Sequence, residues 1–281
     1  MKFIPIDTFT TPPTPAQLEE IKLSALAGDS MALHDLALCY INGHGVPKNI
    51  ELAVKYLSDS AKRGCPDANF VSGKLYYFGD GVSQDKDLAI DLIKDASKHE
   101  VIGANVLLGW IFLNDEDLRD PKQAAHYLRK ASKQDHPVAL YNLGIMYLKG
   151  EYVEQNTKVA VKLITKAAKQ HYLDAEYCLG NFYYAGIGVR QNFSLAAQWY
   201  EKAANQSLPE AQYNLSVLYM NGTGVARNAE KALRWLQKAA EAGFAPAQFN
   251  LGQAYKFGIG VSQNTNKANY WLKEWHNNTN A

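Results

Sequence analysis

One feature of the sequence constrains the fold more than any other: an alanine that recurs about every 36 residues. The copies are Ala32, Ala68, Ala104, Ala139, Ala175, Ala211 and Ala247. Four residues after the alanine comes a leucine in six copies, then a small residue, and eight residues after it an aromatic ring in all seven. These offsets share one stripe of a helix, and the small residue beside it lets a second helix approach closely.

The residues that follow each stripe predict where the helices end and begin. Six copies have a glycine eleven residues after the alanine, where a left-handed residue would end the first helix. A residue suited to start a second helix comes next: Asn49, Asp85, Asp120, Asn156, Asn192, Asn228 and Asn264. Each copy therefore predicts a two-helix hairpin. Because one hairpin cannot bury its apolar face alone, we expect the hairpins to stack as an all-α solenoid.

This register divides the whole chain. We expect seven repeats at about 29–64, 65–100, 101–135, 136–171, 172–207, 208–243 and 244–281. Thr14 and Gln17 form a predicted capping box with proline between them, which indicates an N-terminal capping helix over 14–28. Residues 1–13 are rich in proline and are interpreted as an extended arm.

The combined spacing is similar to that of a known family. The pattern A-x-x-x-L-G-x-x-Y-x-x-G-x-G-V, followed by K-A-x-x-W-Y-x-K-A-A, resembles the Sel-one-like repeat (SLR) family, a branch of the tetratricopeptide-like repeats. The best copies are residues 175–204 and 211–240, and the resemblance covers about 32–276. It implies a right-handed α/α superhelical solenoid of seven repeats. It also implies a non-enzymatic scaffold or adaptor that binds a partner protein or extended peptide in its concave groove.

Ligand-facing positions of tetratricopeptide repeats, laid onto this register, give the predicted partner-binding set. Aromatic residues dominate binding hot spots, and asparagine can hold the backbone of an extended peptide. The set is Lys74, Tyr77, Phe78, Trp110, Asn114, Lys149, Asn181, Tyr184, Asn221, Gln253 and Lys256. The bulky residues two positions after each alanine, Tyr177 and Tyr213 among them, are instead expected to pack between repeats.

Two repeats depart from the pattern. Repeat 3 lacks both loop glycines and has an acidic loop with Asp115, Glu116 and Asp117, which suits a basic partner segment. Repeat 4 has Tyr152 in place of its second glycine. A loop that breaks a local rule is a candidate for function, although drift in a tolerant surface loop explains it equally well.

Composition limits the remaining functions. With 29 Lys+Arg against 28 Asp+Glu, the chain lacks the basic excess typical of nucleic-acid binders, and no polybasic membrane contact is expected. The sequence shows no secretory signal and no apolar run of about 20 residues, so a cytoplasmic location is expected. Three cysteines, Cys39, Cys65 and Cys178, do not form a disulfide framework.

The sequence contains no recognisable catalytic or metal-binding motif. The seven histidines have no H-E-x-x-H spacing, the Gly-x-Gly pairs lack the Lys-Ser/Thr of a phosphate loop, and there is no G-x-S-x-G. We therefore expect no enzyme, cofactor or metal, and a hydrolase is the alternative from another class.

A sharper form of the scaffold hypothesis is an immunity protein that neutralises a bacterial toxin. Trp271, Leu272 and Trp275 near the end of the chain suggest a homodimer through that end.

Overall fold

The computed structural model describes residues 12–279, and the secondary structure of that range is entirely helical. The predicted arm over 1–13 lies outside this range except for Pro12 and Pro13. The helices are α1 (Pro15–Leu26), α2 (Ser30–Asn42), α3 (Ile50–Lys62), α4 (Pro66–Phe78), α5 (Lys86–Lys98), α6 (Ile102–Asn114), α7 (Pro121–Lys133), α8 (Pro137–Lys149), α9 (Thr157–Ala168), α10 (Leu173–Ala185), α11 (Phe193–Asn205), α12 (Pro209–Asn221), α13 (Ala229–Glu241), α14 (Ala245–Phe257) and α15 (Thr265–Thr279). The predicted all-α repeat fold is confirmed.

The chain divides into two compact units, 1–139 and 140–281. In unit 1, each even-numbered helix from α2 to α6 pairs with the helix that follows it, and α3 and α5 pack in turn on the next pair. Its core includes Leu57, Ile93 and Leu108, all fully buried. Unit 2 repeats the arrangement from α10 to α15. Ile164 and Leu179 are central residues of its core.

The helix ends follow the sequence pattern. Gly43, Gly79, Gly186, Gly222 and Gly258 each cap a first helix with a positive φ between 67° and 74°. The side chains of the seven predicted Asn and Asp caps accept a backbone N–H from the first turn of the following helix. Thr14 and Gln17 form the predicted capping box. Because these contacts satisfy backbone groups that a helix end leaves open, they fix the boundaries of each hairpin.

In the five repeats whose small residue is a glycine, that glycine faces a large side chain of the second helix. A β-carbon added at Gly73 would lie 2.5 Å from Cγ1 of Ile93 and 2.9 Å from the carbonyl oxygen of Ala89. A β-carbon at Gly180 would lie 2.6 Å from the ring of Tyr200. The absence of a side chain therefore allows the two helices of a hairpin to pack in close contact.

The two irregular repeats keep the hairpin by different means. In repeat 4, Tyr152 adopts the left-handed conformation, with φ +61°, that glycine takes in the other loops. In repeat 3, Asp115 follows α6 in an extended conformation, so the helix ends without a left-handed residue. Its carboxylate accepts the backbone N–H groups of Asp117 and Leu118 and turns the chain toward α7.

Candidate partner-binding surface

Three aromatic rings form a cluster on α4 and α6 of unit 1. The ring of Tyr77 meets Phe78 edge-on at 4.9 Å between centroids and Trp110 edge-on at 6.4 Å. The ring centroids of Phe78 and Trp110 are 6.4 Å apart. Phe78 is 42% exposed and Trp110 is half-buried, so two of the three rings reach the surface. We call Phe78 and Trp110 the aromatic patch.

Tyr77 lies in the interior, which corrects the prediction that it faces a ligand. Only 5% of the residue is exposed, and its hydroxyl donates a 2.6 Å hydrogen bond to Oδ2 of Asp115. Burial, followed by the bond to Asp115, raises the pKa of the phenol well above its usual value. The glycine-free loop of repeat 3 causes the difference, because it brings a carboxylate to the position that the Tyr77 hydroxyl reaches.

Asp115 is likewise buried and not available to a basic partner. Nζ of Lys86 lies 2.9 Å from its Oδ2, and two backbone N–H groups bond to its Oδ1. Burial by itself would raise the pKa of the carboxyl, but the hydrogen bonds from Tyr77, Lys86 and the backbone outweigh it and lower the pKa to about 2. Asp115 is therefore an ionised anchor that joins α4, α5 and the loop after α6.

The other predicted residues of unit 1 lie around this anchor. Asp117 is exposed and lies 2.9 Å from Nζ of Lys86, whose pKa is raised by its bonds to the two aspartates. Glu116 and Asn114 are exposed, and the amide of Asn114 donates to the carbonyl oxygen of Trp110. Lys74 is half-buried on α4. Of the acidic loop, only Glu116 and Asp117 remain at the surface.

The predicted residues of unit 2 are mostly exposed and more scattered. Tyr184 is 44% exposed, with its ring edge-on to Phe193 at 5.4 Å. Asn181 is half-buried and accepts a 2.7 Å hydrogen bond from the Tyr200 hydroxyl. Lys149, Asn221 and Lys256 are exposed and Gln253 is half-buried.

A ladder of tyrosine and asparagine side chains joins neighbouring repeats of unit 2. The amide of Asn214 donates to the hydroxyl of Tyr177 at 3.3 Å, and the amide of Asn250 donates to that of Tyr213 at 3.1 Å. The expectation that these tyrosines pack between repeats agrees with this contact. The asparagines were not singled out from the sequence, although they recur three residues after Ala211 and Ala247.

The aromatic side chains near the end of unit 2 are partly covered. Trp271 packs on the core of α13 and α14, and Trp275 meets Phe249 at 5.0 Å between ring centroids. Leu272 faces Gly252. Tyr270 points outward and is largely exposed. Homodimerisation through this end stays a prediction.

Metal-binding side chains do not cluster over residues 12–279. That range contains no group of three or more His, Cys, Asp or Glu placed to hold a metal ion. Cys39 and Cys65 are buried, and burial, aided by Asp174, raises the pKa of the Cys178 thiol to about 12. None of the described helices is long and apolar enough to cross a membrane.

Comparison with known structures shows the same repeat architecture. A protective antigen of uropathogenic Escherichia coli with an SLR fold matches 92% of this chain at 26% identity and a TM-score of 0.80, and the match spans 64% of that protein. A Sel1 repeat protein of Oxalobacter formigenes matches 93% of this chain and 77% of its own length at 33% identity, with a TM-score of 0.75. An immunity protein of Pseudomonas aeruginosa matches 99% of this chain and 88% of its own length, but at 18% identity and a TM-score of 0.41, which carries no functional argument.

A search of curated proteins found no match. The Sel1 repeat matches seven successive segments: 30–65, 66–99, 103–136, 137–172, 173–208, 209–244 and 245–275. Together they span most of the sequence and coincide with the helix pairs α2–α3 to α14–α15. The chain belongs to the Sel1 repeat family.

Proposed function

We propose that this protein is a non-enzymatic scaffold that binds a partner protein or extended peptide, with the aromatic patch as its main anchor in unit 1. Sel1 repeats generally serve as scaffolds for protein interactions. The observation that carries the proposal for this chain is that Phe78 and Trp110 stand side by side at the surface, at the end of α4 and in α6.

The size of the patch supports this role. Fully burying a phenylalanine side chain contributes roughly 1.5–3 kcal/mol relative to leaving it exposed. Aromatic residues are also over-represented among the few interface positions that dominate affinity. Phe78 is 42% exposed, and Trp110 adds an adjoining ring.

Contacts with the protein interior also hold the two rings of the aromatic patch in place. Tyr77 contacts both rings and is fixed in turn by Asp115, which Lys86 bonds from the next helix. A surface that is ordered before binding loses little conformational entropy when the partner arrives. Glu116 and Asp117 are exposed in the same loop as Asp115. A partner segment with an apolar residue for the aromatic patch and a positive charge near this loop therefore fits best.

Alanine variants of the full-length chain test the proposal. Tagged wild-type protein, Phe78→Ala and Trp110→Ala are used to capture partners from the native cells, with quantitative mass spectrometry. The matched control is Phe257→Ala, which removes an equally large exposed ring from unit 2. We expect Phe78→Ala to lower recovery of the partner at least tenfold while the control retains it. Equal recovery with both variants, at unchanged thermal stability, contradicts the assignment.

An immunity protein is the sharper form of this proposal. It predicts one stoichiometric partner that is toxic when produced alone and inactive when bound. An adaptor instead predicts partners whose activity continues in the complex. Co-expression of the captured partner with wild-type protein and with Phe78→Ala separates the two, because only an immunity protein restores growth through the patch.

A further inference from the structure

An open cleft of about 670 Å³ lies between α1 and α2 in unit 1. Ile21 and Met31 supply apolar surface, and the carboxylates of Glu20, Asp29 and Asp35 also line it. Its volume gives room for several side chains of one helix face. The cleft is separate from the aromatic patch, which lies on α4 and α6.

The helix α1 occupies the place of the second helix in a repeat whose first helix is missing from the described structure. Ile21 stands 36 residues before Leu57 and 72 before Ile93, in the same register. In repeats 1 to 4 this residue is fully buried, and in repeat 2 it meets the small residue of the first helix, where Ile93 faces Gly73. Residues 12–279 place no such helix opposite Ile21, which is half-buried and lines the cleft.

Residues of α2 are also less covered than their counterparts in the other repeats. Ala32 is 8% exposed, whereas the corresponding alanine is 0% exposed in each of the other six repeats. Asp35 corresponds to Asn214 and Asn250, whose amides bond to a tyrosine on the first helix of the preceding repeat. One helix of the first type would therefore cover Ile21, Ala32 and Asp35 together.

We propose that this cleft binds an amphipathic helix of a partner protein, in the place of the missing first helix. By analogy with the other repeats, the helix carries a glycine, alanine or serine opposite Ile21. Three residues before it stands a tyrosine or lysine that donates to Asp35, as the spacing of Tyr213 and Ser216 indicates. The described first helices contain 13 residues, which sets the length.

The negative charge of the cleft further restricts which helices can bind there. Three carboxylates line the cleft, and Arg63, which lies beside the lining residue Gly28, already donates to the carbonyl oxygen of Gly28 at 3.2 Å. Asp29 accepts the N–H of Ala32, and Asp35 lies 3.1 Å from Nδ1 of His34, so each keeps oxygen lone pairs for a further donor. A helix without carboxylates and with lysine or arginine at its edges therefore fits the cleft.

A peptide copied from this chain provides the probe. The sequence of α8, Pro137–Lys149, contains Tyr141, Gly144 and a lysine but no acidic residue. We expect a capped, dye-labelled peptide of this sequence to bind the full-length protein in fluorescence anisotropy. The control peptide carries Gly144→Leu, which would collide with Ile21, and we expect its affinity to be at least tenfold lower.

Two protein variants locate the binding. Met31→Asp places a charge in the cleft and is expected to weaken peptide binding at least tenfold. Leu26→Asp is the matched control, because Leu26 is also exposed and lies on α1, but does not line the cleft. Phe78→Ala is expected to leave peptide binding unchanged, which separates this site from the aromatic patch.

Each other outcome overturns the proposal. Equal binding to the Met31→Asp and Leu26→Asp variants, or no binding of the α8 peptide, removes the cleft as a helix site. Sedimentation that shows a dimer of the wild-type chain, dissociated by Met31→Asp, assigns the cleft to a second copy. An affinity that rises more than tenfold on deletion of residues 1–11 assigns it to that segment instead of a partner.

Discussion

The hydroxyl of Tyr77 donates a 2.6 Å hydrogen bond to Oδ2 of Asp115, a residue 38 positions further along the chain. This contact joins the end of α4 to the loop that follows α6. Because Tyr77 also contacts Phe78 and Trp110, the bond connects the acidic loop of repeat 3 with the aromatic patch at the surface. An irregular loop thereby supports the proposed binding surface from within.

Replacing Asp115 should destabilise unit 1. Asp115→Asn removes the negative charge of the carboxylate to which Lys86 and Tyr77 both bond. It leaves Lys86 with only the exposed Asp117 as an ionic partner. We expect a loss of about 1–3 kcal/mol in the free energy of unfolding, as for hydrogen bonds to charged groups. Urea denaturation measures it.

The control for this variant is Asp117→Asn, which removes an exposed ion pair with the same lysine. Such pairs contribute about 0–1 kcal/mol. Equal losses from the two variants would show that burial of Asp115 has no energetic consequence.

The same carboxylate predicts a pH dependence. Its folded pKa of about 2 lies below the ordinary value of 3.8, so its contribution to stability is present above about pH 4 and is lost as pH falls toward 2. That difference corresponds to about 2 kcal/mol. Wild-type and Asp115→Asn proteins should therefore differ most in unfolding free energy near neutral pH and converge between pH 4 and 2. A constant difference over that range contradicts the prediction.

Close packing within the hairpins predicts the effect of a single methyl group. Gly73→Ala improves helix propensity by about 1 kcal/mol, but the added carbon would press on Ile93 and the backbone of Ala89. Overpacking costs about 1–3 kcal/mol, so we expect a net loss of stability. Thermal and urea unfolding measure it, and a variant more stable than wild type would show that α4 and α5 can separate at little cost.

The three thiols should react slowly in the native protein. Cys39 and Cys65 are buried, and the pKa of about 12 leaves almost no Cys178 thiolate near neutral pH. We expect an aromatic disulfide reagent at pH 8 to label all three only after denaturation. Rapid labelling of one thiol in the native state would show a local opening near that residue.

Much of the fold could be predicted from the sequence because each hairpin follows local rules. In repeat 2, for example, Ala68 predicts the apolar stripe of the first helix, Gly79 predicts its end and Asp85 predicts the start of the second helix. Each of these signals depends on chemistry within a few residues. The seven copies reinforce one another, so even Tyr152 keeps the loop of repeat 4 in its left-handed conformation.

The candidate site was harder to predict because it depends on contacts between repeats. Register alone placed Tyr77 on the surface, but its burial follows from Asp115, which enters the core only because repeat 3 has no glycine at the end of α6. The cleft beside Ile21 was missed for a related reason. Ile21 stands in the register of Leu57, but the spacing alone does not show how much of its side chain the neighbouring helices cover.

The central claim is that a partner contacts the aromatic patch, and site-specific photocrosslinking tests it most directly. A benzoyl-phenylalanine replaces Phe78 in one variant and Phe257 in the other, two exposed rings in different units. After irradiation in the native cells, we predict one defined adduct from position 78 and a far weaker one, or none, from position 257. An adduct that forms at position 257 and not at 78 would contradict the account.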